Sequence, residues 1–174
     1  VGGLGVDNIK HTEFRSKNYL EEKYSILFGK KNLLITFHPV TLENNSSRNQ
    51  IDELLKSLND LKDTQLFFTA PNSDIGNDII FKRIKSFINQ KPNSFLIKSL
   101  GIKIYLSILN QVDAVVGNSS SGILEAPSLK KPTINIGKRQ QGRLMASSII
   151  NTKPVSSEIK KALKKIYLKE FQLK

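Results

Sequence analysis

The chain has no cysteine among its 174 residues, which excludes a disulfide framework, a thiolate zinc site and a cysteine nucleophile together. Histidine is scarce too: with two in the chain, a zinc centre or a serine-histidine-aspartate triad has little to draw on. The apolar runs, such as the one ending at Gly117, are far shorter than the roughly 20 residues that cross a bilayer. The start, Val1-Gly2-Gly3-Leu4-Gly5, has neither an initiator methionine nor the pattern of a signal peptide. These absences give the expectation of a soluble, cytoplasmic protein with no metal and no membrane span, whose true beginning lies upstream of Val1. What is present is ordinary for a folded domain, with 39% hydrophobic and 24% charged residues. A chain of this length buries roughly 70% of its unfolded surface, so one domain with a real core is expected.

The formal net charge of +12 raises the question of nucleic acid, and the distribution of the charge answers it. Lysines are scattered over helical stretches, with a late cluster at Lys160, Lys161, Lys164, Lys165 and Lys169, and no aromatic stripe runs between them. The expectation is therefore a solvated basic surface that attracts small anions rather than a nucleic-acid interface.

Five short runs rich in β-branched and aromatic residues read as buried strands: 33–37, 65–69, 94–97, 114–116 and 133–136. Between them lie stretches of helical period. Ile51, Leu54, Leu55, Leu58 and Leu61 form one apolar stripe, and Ile79, Ile80, Ile84, Phe87 and Ile88 form another. Further helices are expected over 104–109, 122–126 and 158–168. Alternation of this kind specifies right-handed crossovers and a doubly wound, Rossmann-like α/β domain with a parallel sheet. The stretch up to Gly29 carries no clear pattern and reads as a boundary or hinge segment, with the domain proper at 30–174.

In such sheets ligands gather beyond the carboxyl ends of the strands, and there the sequence is unusually polar. Gly117-Asn118-Ser119-Ser120-Ser121-Gly122 joins a strand to a helix, placing free N–H groups and hydroxyls at a helix N-terminus, as a phosphate cradle requires. The same residues also suit a plain serine-rich helix cap. The segment is neither a Walker loop, since no lysine follows the glycine, nor a G-x-S-x-G elbow, since Ser121 stands where the second glycine would be. Glu125, three residues after Gly122, offers two oxygens to a ribose diol; as a bare helix glutamate it is equally a solvated group or a partner for Arg139. Arg139 and Arg143 follow the fifth strand, and guanidinium forks suit a diphosphate, although a basic surface turn has the same composition. His38, before a proline, serves either the site or a structural hydrogen bond. Asn72 to Gly76 has the form of a turn and helix cap, and Gly3-Leu4-Gly5 lacks the third glycine of a dinucleotide fingerprint.

Taken together, Thr36-Phe37-His38-Pro39-Val40-Thr41, Pro71-Asn72-Ser73-Asp74-Ile75-Gly76, Val116 through Pro127, and Asn135 through Arg143 resemble the C-terminal domain of hydrolysing UDP-N-acetylglucosamine 2-epimerases. Gly2 to Asn8 is similar to a family segment near the domain boundary, so the resemblance spans nearly the whole chain. It implies one half of a two-domain glycosyltransferase-B architecture that needs no cofactor, the N-terminal catalytic domain lying outside this chain. It implies that UDP, as part of a UDP-2-acetamido sugar, is held by Gly117, Asn118, Ser119, Ser120, Gly122, Glu125 and Arg139. Within that set Ser119 and Ser120 would meet the diphosphate, Glu125 the ribose and Arg139 a phosphate. Asn72 and His38 would face the substrate side of the cleft, and the backbone near Leu100 the uracil. His38 and Arg139 are the residues to which a catalytic part would fall. The family's usual aspartate is replaced here by Lys138, which receives no role.

The reaction so implied is anti elimination of UDP to a 2-acetamidoglucal, followed by addition of water to give the free 2-epimer, as in routes to sialic acid. The parent protein is expected to be a homo-oligomer and the isolated chain to be inactive. Three other readings stand beside this one: a glycosyltransferase donor domain, a non-hydrolysing epimerase and a free-standing binding module.

Overall fold

A computed structural model describes residues 9–40, 46–70, 77–98, 101–168 and 171. In chain order the elements are α1 (Lys17–Tyr24), β1 (Lys31–Thr36), α2 (Ser46–Leu58), β2 (Thr64–Thr69), α3 (Asn77–Gln90), β3 (Ser94–Ile97), α4 (Ile102–Gln111), β4 (Ala114–Gly117), α5 (Ser121–Ser128), β5 (Thr133–Ile136), β6 (Ile149–Thr152) and α6 (Ser156–Lys165). The six strands form one sheet in the order β3-β2-β1-β4-β5-β6, and every pairing is parallel. This is the doubly wound arrangement that alternating strands and helices specify.

Each central strand is hydrophobic on both faces because each face is covered. Leu33 and Ile35 of β1 point with Leu66, Phe68, Ala114, Val116 and Ile134 towards α2, α3 and α6, where Leu54, Leu58, Ile80 and Ile159 are fully buried. Leu34, Phe67 and Val115 point the other way, towards Leu106, Ile108 and Leu109 of α4 and Ala126 of α5. The period of two along the strands thus divides the core into two layers on either side of the sheet.

Two elements went unread in the sequence. Helix α1 is polar almost all round, and its one buried residue is Leu20. It is held at its start by Ser16, whose hydroxyl accepts from the Tyr19 N–H at 3.3 Å, and Leu20, Ile26 and Phe28 join the layer around Phe67. Strand β6, Ile-Ile-Asn-Thr, is a short edge strand and mostly half-exposed. It pairs in parallel with β5 from Thr133↔Ile149 to Ile136↔Thr152. The connection between them, 137–148, contains no helix or strand and so leaves its polar groups available to the carboxyl edge of the sheet.

Candidate functional site

Strands β1 and β4 are neighbours, but the chain leaves them in opposite directions, β1 towards β2 and β4 towards β5. Loops that part in this way open a crevice at the carboxyl edge. The two strand ends lie level, Thr36 opposite Gly117. Beside them Thr36, His38, Thr69, Ala70, Ile97, Tyr105 and Ser119 line a cavity of about 350 Å³. The Thr69 hydroxyl donates to that of Thr36 at 2.9 Å on its floor.

Gly117 is where the backbone approaches most closely. Its φ is +144°, and a Cβ there would stand 1.9 Å from the Thr36 carbonyl oxygen. Only glycine lets β4 end against β1 in this way. The next residue, Asn118, is fully buried and ties the surrounding loops together. Its side-chain carbonyl accepts from the His38 N–H at 2.8 Å, and its amide donates to the His38 carbonyl at 2.9 Å. Its backbone N–H donates to the Thr36 carbonyl at 3.1 Å. Its backbone carbonyl accepts from Gln140 Nε2 at 2.8 Å and from Arg139 Nη1 at 3.2 Å. Buried polar groups need partners, and those of Asn118 are spent on protein, fixing the loops after β1, β4 and β5 with respect to one another.

Around this joint the groups suited to an anion remain partly unused. Arg139 is exposed and gives one N–H to Asn118, leaving other guanidinium donors to turn to a ligand. Ser120 stands at the N-cap of α5 without a side-chain capping bond. Ser119 Oγ accepts a 3.3 Å bond from the Ser121 N–H, a use that leaves its own hydrogen to donate. Gly122 lets α5 sit close to β5, since a Cβ would come within 2.7 Å of Thr133 Cγ2, while Thr133 Oγ1 donates to the Gly122 carbonyl at 2.6 Å.

Glu125 is half-buried on α5, and its Oε2 is buried with no hydrogen-bond partner. Among the described residues it forms no ion pair with Arg139. A carboxylate oxygen withdrawn from water and left without a donor is costly, and a hydroxyl-bearing ligand would relieve that cost. Arg143 lines, with Lys138, Gln141, Asn135, Met145 and Asn151, a second cavity of about 430 Å³. Asn72 and Leu100 lie outside the described residues, as does the turn from Pro71 to Gly76. Among the described residues no three His, Asp or Glu side chains converge as metal ligands would, and no helix is long and apolar enough to cross a membrane.

Two site residues were missed in the sequence. Gln140 is buried and holds the Asn118 carbonyl; one polar residue in a run of polar residues carries no local mark of burial. Tyr105 faces the cavity from α4 and donates from its hydroxyl to Ser121 Oγ at 2.6 Å. Burial pushes its phenol up to about 12, the negative charge of Glu125 adding to the rise and the Ser121 bond opposing it. A tyrosine in the apolar stretch Ile104 to Leu109 was the available signal.

Comparison with known proteins agrees with this geometry. The family model described as UDP-N-acetylglucosamine 2-epimerase matches residues 1–174. The chain is 36% identical over 173 residues to a Campylobacter jejuni GDP/UDP-N,N'-diacetylbacillosamine 2-epimerase (hydrolyzing), covering 99% of this chain and 44% of that protein. It is 41% identical over 152 residues to the Escherichia coli polysialic acid biosynthesis protein P7, covering 87% of this chain and 38% of that one. An S. aureus MnaA–UDP co-structure shares the fold with a TM-score of 0.72 at 17% identity, covering 99% of this chain and 46% of that one. The chain thus spans less than half the length of these relatives. On the match along its whole length, and on a crevice built from the segments that carry the resemblance, the chain belongs to the UDP-N-acetylglucosamine 2-epimerase family.

Proposed function

We propose that this chain is the UDP-binding half of a hydrolysing 2-epimerase acting on a UDP-linked 2-acetamido sugar, with 30–174 as the nucleotide domain, α1 and the residues after it packed on its core, and the catalytic domain in the remainder of the relatives' length. The observation that carries the reading is the unpartnered, buried Oε2 of Glu125, on the helix into which Ser119, Ser120 and Ser121 lead. A nucleoside diphosphate offers what this arrangement lacks, a diol to donate to the carboxylate and an anion to accept from the hydroxyls and Arg139.

Ser119 and Ser120 would hold the diphosphate, with Gly117 letting β4 end against β1, Gly122 seating α5 on β5 and Asn118 keeping the loops in register. His38 and Asn72 would face the sugar, and the backbone at Leu100 the uracil. When UDP departs in the elimination step, charge grows on its terminal phosphate oxygens. Donors already aimed there, Ser119, Ser120 and the Arg139 guanidinium, favour departure electrostatically. The relatives' names include an N,N'-diacetylbacillosamine epimerase and a polysialic acid biosynthesis protein. The substrate is accordingly a member of a class, the UDP-2-acetamido sugars that feed a nonulosonate such as sialic acid. A chain without cysteine and a nucleotide-sugar substrate both fit a cytoplasmic enzyme.

Calorimetry of the chain with UDP and with uridine tests the reading. UDP should bind more tightly, and Arg139→Ala should remove most of the difference, because a charge-assisted contact is worth about 1.5–3 kcal/mol. Equal affinity for the two ligands would overturn the assignment of the cradle.

A further inference from the structure

We propose that Tyr105 is a positioning residue for the phosphate cradle, acting through Ser121 on Ser119; the proposal rests on the UDP-binding reading above. The chain of contacts is continuous. The Tyr105 hydroxyl donates to Ser121 Oγ at 2.6 Å, tying α4 to the first residue of α5. The Ser121 N–H in turn donates to Ser119 Oγ at 3.3 Å. Ser119 and Tyr105 both line the cavity at the strand ends.

A serine hydroxyl has one hydrogen and two lone pairs. With a lone pair of Ser119 Oγ occupied by the Ser121 N–H, its hydrogen is left to donate, the only use an anion has for it. That arrangement holds only while Ser121 keeps its place, and Ser121 is half-buried at a helix start whose N-cap residue, Ser120, makes no side-chain capping bond. Tyr105 supplies the restraint from outside the helix. A phenol is un-ionised at neutral pH even at its ordinary value, so the Tyr105 hydroxyl serves as donor rather than as a negative charge beside a phosphate site.

The test is a double-mutant cycle on UDP affinity with Tyr105→Phe, Ser121→Ala and the pair, each titrated with UDP and with uridine. Tyr105→Phe keeps the ring and removes the donor. It should weaken UDP about two- to tenfold, the range expected for one hydrogen bond, while leaving uridine binding unchanged. The pair should be no worse than the more damaging single substitution, since both break one contact. A merely structural tyrosine would weaken uridine and UDP alike, and that result overturns the proposal, as would additive losses or UDP affinity at parity with the unsubstituted chain. Failure of the unsubstituted chain to prefer UDP overturns the nucleotide reading itself, and the positioning role with it. The thermal midpoint, recorded alongside, should be unaltered within about 4 °C, a shift that corresponds to roughly 1 kcal/mol in a domain of this size. A larger drop moves the cycle to Tyr105→Met, which keeps an apolar filler without the hydroxyl, and the same UDP-selective loss is then required.

Discussion

Glu125 and Tyr105 show how much chemistry a single buried polar atom carries. The Glu125 Oε2 is buried without a donor, a cost that a bound diol would recover. Glu125→Gln keeps the shape but trades one acceptor for a donor. UDP affinity should fall by about 1–3 kcal/mol, while inorganic phosphate, which has no diol, should bind as before. Parallel losses for both ligands in the same titration would make Glu125 a structural residue of α5. Tyr105 makes a different prediction, in pH. Its phenol is raised from 10.0 to about 12 by burial, so the folded state holds its proton where the unfolded state releases it. That contribution to stability is complete below pH 10 and is lost as pH rises towards 12. Denaturant titrations across that window should show the unsubstituted chain losing stability more steeply than Tyr105→Phe. Identical slopes would mean that the phenol is not shielded.

At the scale of elements, what could be read in the sequence followed from periodicity. The five runs expected as strands are strands, and the helices between them lie where the apolar stripes placed them. Helix α1 and strand β6 were not legible for opposite reasons. The first buries a single leucine, so it has almost no stripe to detect, and the second is a half-exposed edge strand whose partner β5 supplies the order. The site was legible in part on the same grounds. Gly117 to Gly122 stood out because it interrupts a buried strand with glycine and hydroxyls. The clamp of Asn118 on His38, by contrast, joins residues 80 positions apart and has no local signature. The close approach of β4 to β1 depends on one glycine. Gly117→Ala combines a positive φ with a 1.9 Å contact on the Thr36 carbonyl, and should cost at least about 2 kcal/mol. Urea denaturation measures this, and an alanine variant of unchanged midpoint would contradict the geometry.

For the whole molecule, the proposed function implies a division of labour between this chain and the remainder of its relatives' length, which is more than half of each relative. Among the described residues the crevice offers hydroxyls, a guanidinium group, an imidazole and one half-buried carboxylate, Glu125. Proton abstraction at carbon 2 and protonation of the glucal require an acid and a base placed on the sugar, and Glu125, if it takes the ribose, is occupied elsewhere. The chain alone should therefore bind UDP and turn over no nucleotide sugar. In the parent protein the two half-reactions should separate under mutation. Ser119→Ala with Ser120→Ala removes donors from the departing phosphate, so release of UDP should slow by about 10²-fold or more, the scale of losing a preorganised donor to a developing anion. Hydration of a supplied 2-acetamidoglucal, with UDP at saturation, breaks no bond to phosphate and should be much less affected. Measuring UDP release and glucal hydration separately, in chain, parent and double variant, decides the matter. Turnover by the chain alone, or equal damage to both steps, would place the proton-transfer chemistry in this half of the molecule.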